Sequence, residues 1–139
     1  MSPEWTPVLR GLPLFAGLNN RHLKRIESIA RTKRFPRSSA VVKAGDPGDA
    51  FYVVLEGTVA VRTGGRKVVM GVGEFFGEMS LIDGAPRSAS VVADSDEVLL
   101  MVIPRTAFMK LLESEPKITI AILGTLSQRI RILQSAGSL

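Results

Sequence analysis

Apolar positions along the chain change their period twice. From Asn19 or Asn20, either of which can cap a helix, Leu23, Ile26, Ile29 and Ala30 recur at helical spacing, predicting a short amphipathic helix that ends near Arg31. Between Phe35 and Pro104 the pattern becomes short Val-rich runs broken by Gly, Pro and Asp: AVVKAGDPGD, AFYVVLEG, TVAVRTGG, RKVVMGVG, SASVVADSD and EVLLMVIP. Closely spaced strands of this kind predict an antiparallel sandwich or barrel, with Gly64-Gly65 as a hairpin turn. After Pro104 helical spacing returns, first in Arg105 to Glu113 and then, beyond Pro116, from Lys117 to about Gln134. Leu123, Leu126, Ile130 and Leu133 fall in one stripe of that last segment, which either covers the sheet or forms a helix-to-helix homodimer seam.

The length of 139 residues suits one ordinary domain, and 45% hydrophobic with 22% charged residues is globular composition. There is no cysteine and His22 is the single histidine. That excludes a disulfide framework and the clustered ligands a cupin-like metalloenzyme needs, so neither a metal, a cofactor nor an enzymatic reaction is expected. No apolar run approaches the ~20 residues of a membrane span, and Met1 to Arg10 lacks the make-up of a secretory signal, so a cytoplasmic location is expected. The formal charge of +5 is concentrated between Arg21 and Lys43, where Glu27 is the only acid. Acids are well represented from Asp46 to Glu97, so the basic run reads as a solvated face, and no nucleic-acid partner is expected.

One stretch, Phe75 to Ser90, departs from the strand pattern. Gly77 allows close backbone approach, and Glu78 to Ile82 is long enough for about one helical turn, whose unpaired N–H groups favour an anion. Asp83-Gly84-Ala85-Pro86 breaks the turn; Arg87 then opens a strand and brings a charged, planar fork back towards those N–H groups. A phosphate satisfies both. Glu78 would repel that phosphate unless it were engaged elsewhere, for which ribose hydroxyl donors are natural partners; alternatively, Glu78 and Arg87 pair with each other across the turn.

The fifteen residues FGEMSLIDGAPRSAS resemble the phosphate-binding cassette of cyclic-nucleotide-binding domains, the modules of cyclic-AMP-dependent kinases, catabolite-activator-type regulators and cyclic-nucleotide-gated channels. The upstream Gly45 to Gly57 is similar to the turn and strand that precede the cassette in that family. The resemblance implies an eight-stranded jelly-roll β-roll over 32–104, preceded by a helical segment over 1–31 and followed by two helices over 105–135, in a single domain. It further implies that Arg87 binds the cyclic phosphate of cyclic AMP or cyclic GMP, that Glu78 receives the ribose 2′-hydroxyl, and that backbone N–H groups around Gly77, Met79 and Ser80 complete the cradle. Ser88 would touch either the phosphate or the amino group of guanine, Val61 and Met70 would wall the base, and Phe76 reads as core. Gly124 weakens the last helix and Gly137 frees its end, which makes that helix a candidate lid with Arg129, Ile130 or Arg131 in contact with ligand. The expected function is a non-catalytic sensor whose C-terminal helices pass occupancy to an unidentified effector; the alternative is the sensor fragment of a DNA-binding regulator of catabolite-activator type. No helix-turn-helix pair is expected after Gln134 and no pore segment before Asn19.

Overall fold

The computed structural model describes residues 5–63 and 65–135; Gly64 of the expected hairpin turn, the first four residues and Gly137 lie outside them. Helix α1 (Thr6–Arg10), a 3-10 turn (Pro13–Phe15) and α2 (Asn20–Ile29) precede eight strands. These are β1 (Arg31–Pro36), β2 (Ala40–Val42), β3 (Ala50–Glu56), β4 (Val59–Thr63), β5 (Arg66–Met70), β6 (Phe75–Phe76), β7 (Ser90–Ala93) and β8 (Glu97–Pro104). Helix α3 (Glu78–Asp83) interrupts them between β6 and β7, and α4 (Arg105–Ser114) and α5 (Pro116–Ser135) close the chain. The strands pair antiparallel in two four-stranded sheets, ordered β1-β8-β3-β6 and β2-β7-β4-β5.

Strand alternation sorts the apolar residues into two cores. Phe51, Val53 and Leu55 of β3, with Leu99, Met101 and Ile103 of β8, meet the helices; Phe108, Leu111, Ile118 and Ile122 pack there from α4 and α5. Tyr52 and Val54, with Val98 and Leu100, face the second sheet and its Val59, Val91 and Ala93. A sheet covered on both faces reads as the unbroken apolar run that β3 shows. Phe76 stacks on Tyr52 in this second core, with ring centroids 4.9 Å apart.

Helix α2 starts where the Asn19 side chain accepts a hydrogen bond from the His22 N–H, at 3.0 Å. It ends at Ile29 rather than Arg31, because Arg31 already pairs with Val102 as the first rung of β1. In α5 the row turned to the core is Ile118, Ala121, Ile122 and Leu126. Leu123 and Ile130 are 57% and 49% exposed, so the expected stripe does not cover the sheet. The basic run is partly consumed by ion pairs: Arg34 with Glu56 and Glu97, Arg37 with Asp96, and Arg25 with Glu115 at the joint of α4 and α5. Among the described residues no helix is long and apolar enough to cross a membrane.

Candidate functional site

Arg87 is held at both its backbone and its side chain. Its backbone is clamped to the turn ahead of β3, with Gly45 N–H donating to Arg87 O and Arg87 N–H to Asp46 O, each at 2.8 Å. Strand β7 begins only at Ser90, so Arg87 sits in the loop before the strand and takes its position from this clamp. Its buried guanidinium donates from Nη1 to Gly77 O at 2.8 Å and from Nη2 to Ala50 O at 2.7 Å, and Asp49 Oδ1 lies 3.5 Å from Nη2. Two carbonyls and a carboxylate therefore hold the rear of the fork. The Tyr52 ring centroid lies 5.9 Å from it. Burial pushes the Tyr52 phenol up, Asp49 adds to the rise, and Arg87 opposes it.

Two glycines permit this packing. Gly77, at φ +94°, caps α3 without a side chain, and a Cβ there would lie 2.9 Å from Arg87 Nη1 and 3.0 Å from Ala50 O. A Cβ on Gly48 would lie 2.5 Å from Ser80 Cβ, so the upstream turn lies directly against α3. The start of α3, the loop before β7 and the turn before β3 form one block.

Gly77, Glu78, Met79, Ser80, Arg87, Ser88, Val61 and Met70 all line one cavity of about 120 Å³, together with Val42, Phe76, Ala89, Val91 and Arg129. Ser88 and Met79 are exposed at its mouth, while Glu78 and Ser80 are buried. Of the three lid candidates only Arg129 reaches it; Ile130 and Arg131 point to solvent. Glu78 does not pair with Arg87: Arg129 Nη1 donates to Glu78 Oε1 at 3.1 Å. Arg129 Nη2 also donates to Phe75 O at 2.8 Å, and the guanidinium lies 4.8 Å from the Phe75 ring centroid. Burial pushes the Glu78 carboxyl up, against its own backbone N–H, Arg129 and Arg87, which pull it down. A buried cation and a buried anion thus border one space without neutralising each other, an arrangement suited to a ligand with an anionic group at one end and hydroxyl donors at the other.

Comparison with known proteins bears on the family. Residues 32–115, from β1 to the joint of α4 and α5, match the family model described as cyclic nucleotide-binding domain. The chain belongs to this family. A cyclic nucleotide-gated potassium channel of Rhizobium etli is 36% identical over 122 residues, 88% of this chain and 34% of the channel. The Thermus thermophilus catabolite activator protein superposes with a TM-score of 0.79 at 33% identity, over 89% of this chain and 61% of that one. The regulatory domain of Toxoplasma gondii PKA, solved with cAMP, gives a TM-score of 0.77 at 25% identity, over 89% of this chain and 49% of that one. This cyclic nucleotide-binding domain therefore spans between about a third and three-fifths of these relatives' lengths.

Ala89 lay inside the cassette without an assigned role, and Val42 and Val91 are cavity residues that sequence reasoning missed. Each lies in a run recognisable as strand, but which strands would converge on the cassette depended on sheet order. Asp49 and Ala50, which hold the rear of Arg87, lay within the quoted upstream element without an assigned role.

Proposed function

We propose that the chain is a non-catalytic sensor that binds cyclic AMP or cyclic GMP in this cavity and reports occupancy through α5. The observation that carries the reading is the separation of Arg87 from Glu78, two buried, opposite charges on one cavity. The cyclic phosphate takes the forward N–H groups of Arg87 and those at Gly77, Met79 and Ser80, where the short α3 leaves donors without helical partners. Glu78 accepts from the ribose 2′-hydroxyl. Val61 and Met70, beside Val42 and Val91, offer the purine an apolar wall, and Ser88 lies where it can touch the phosphate or the base edge. Arg129 is the element of α5 that meets the cavity, which makes it the route by which occupancy reaches that helix.

The test is calorimetric titration with both cyclic nucleotides, and with 5′-AMP as the uncyclised control, of the wild type, Arg87→Ala and Arg87→Lys. Removing a buried, hydrogen-bonded charge from a complex costs on the order of 2–5 kcal/mol, roughly thirty- to several-thousand-fold in affinity. Because Arg87 also holds two carbonyls, Arg87→Lys provides the better-folded comparison; it keeps the charge without the fork, and its affinity should fall between the other two. A folded Arg87→Ala variant that binds within about threefold of wild type excludes the cradle, on the scale where about 1.4 kcal/mol is tenfold.

A second reading, the sensor half of a DNA-binding regulator, is favoured by the likeness to the Thermus catabolite activator, of which this chain spans 61%. It makes the same demands on the cradle and differs only in what α5 drives.

A further inference from the structure

Helix α5 borders a second cavity, apart from the cradle. Its positions Ala121, Thr125, Gln128 and Ile132 recur at helical spacing and share one face. The first two are short side chains, and between this face, Leu14 of the 3-10 turn and the turn from β5 to β6 lies a cavity of about 340 Å³. That volume falls within the roughly 300–1,000 Å³ common to small-molecule sites. Its walls are tied together on both sides of Ala121 and Thr125. Lys117 Nζ, one helical turn before Ala121, donates to Gly17 O at 3.1 Å, and Arg129 Nη2, one turn beyond Thr125, donates to Phe75 O at 2.8 Å. The turn from β5 to β6 is fastened to β3 by Gly73 N–H to Val54 O and Val54 N–H to Glu74 O, each 2.9 Å. Gly73, at φ +89°, lies against the 3-10 turn, where a Cβ would be 3.4 Å from Pro13 Cδ. The cavity thus follows from how these elements are joined and not from the rotamer of one side chain.

The charge on this cavity is one-sided. Arg129 lines it, but that cation is answered by Glu78. Glu74 is not answered. Gly71 N–H donates to Glu74 Oε2 at 2.7 Å, which fixes the carboxylate, and Oε1 has no hydrogen bond or ion pair among the described residues. Thr125 and Gln128 add neutral polar groups from α5. Leu14, Val72 and Ile132 are apolar, and the last two are exposed. A fixed, unneutralised carboxylate beside apolar walls suits an organic cation, with its ammonium at Glu74 and its apolar body between Leu14 and Ile132.

We propose that this cavity is a second ligand site, for a small ammonium-bearing molecule with an apolar body. The site is separate from the cradle: Leu14, Glu74, Thr125 and Gln128 line this cavity and not the other. An exposed ion pair contributes little, so the apolar walls supply most of the affinity and Glu74 supplies the preference for a cation.

Phenethylamine is the probe and phenethyl alcohol its neutral counterpart, each titrated into the isotopically labelled full chain and followed by backbone amide chemical shifts. Phenethylamine should move the signals of Gly73, Glu74, Thr125 and Gln128, with the millimolar dissociation constant usual for so small a molecule. Phenethyl alcohol should bind about fivefold more weakly, the upper end of what an exposed ion pair contributes. Glu74→Gln keeps an acceptor for the Gly71 N–H and should lower phenethylamine affinity to the level of the alcohol. Thr125→Leu fills the cavity from α5 and should abolish binding of both probes. Equal affinity for amine and alcohol, shifts confined to Gly77 to Ser88 of the cradle, or no shift at all overturns the proposal. Signals of these amides that move with protein concentration in the absence of probe also overturn it, because they would assign this face to a second copy of the chain.

Discussion

Glu78 faces two demands that a lone carboxylate could not meet. It is 2% exposed, and burial favours its neutral form, yet an acceptor for a sugar hydroxyl works best ionised. Its own backbone N–H and the Arg129 guanidinium answer that conflict, since both favour the charged form. Glu78 should therefore discriminate sugars. Wild type is expected to bind the 2′-deoxy cyclic nucleotide more weakly than the ribose form, by the ~1.5–3 kcal/mol of a hydrogen bond to a charged group, and Glu78→Gln should narrow that gap. Equal titration curves for ribose and deoxyribose ligands with the wild type would remove Glu78 from this role. Arg129 shows where reading single residues from the sequence stops. Successive helical positions point about 100° apart, so Arg129, Ile130 and Arg131 were equivalent candidates until the face of α5 turned to the roll was known.

Among the elements, those with long apolar periodicity were legible and those without it were not. Strand β3 and strand β8 declared themselves, as did α2, α4 and α5. Strand β1 did not, because it is a polar edge strand in which Phe35 alone is buried, and β6 has only two residues. The α5 stripe left two readings open for a related reason: spacing reveals that apolar residues share a face, but packing decides which face meets the core, and Leu123 and Ile130 stand exposed. The N-terminal elements carry a pH-dependent contact of their own. Glu27 of α2 accepts from Trp5 N–H at 2.9 Å and from Thr6 Oγ1 at 2.7 Å, bonds that hold its carboxyl below the usual range with help from Lys24 and against a smaller effect of burial. A carboxyl lowered on folding stabilises the fold above its unfolded pKa, and that contribution is lost as pH falls through the folded value. Fluorescence of Trp5, the chain's single tryptophan, should report release of α1 in acid, at a pH below the ordinary carboxylate range. In Glu27→Gln that step should vanish; an unchanged acid transition in the variant would mean that other carboxylates control it.

Across the whole molecule, the cradle exists because separate parts of the chain are fastened together: the turn before β3, the start of α3, the loop before β7 and one arginine of α5. The cassette was readable as a local sequence, since its glycine, its helical turn and its breaker are neighbours in the chain. The clamp on Arg87 from Asp46 and Ala50, and the reach of Arg129 to Glu78, join residues 37 to 51 positions apart and depended on sheet order. The same connectedness gives α5 its proposed role, because Arg129 borders the cavity between Arg87 and Glu78 and holds Glu78. Hydrogen exchange on the full chain, with and without saturating cyclic AMP, tests this most directly. A cradle coupled to α5 requires ligand-dependent protection both from Gly77 to Ser90 and between Leu123 and Gln134. Protection confined to Gly77 to Ser90 would show a static α5, and binding without protection there would show that cyclic nucleotide does not occupy the cradle.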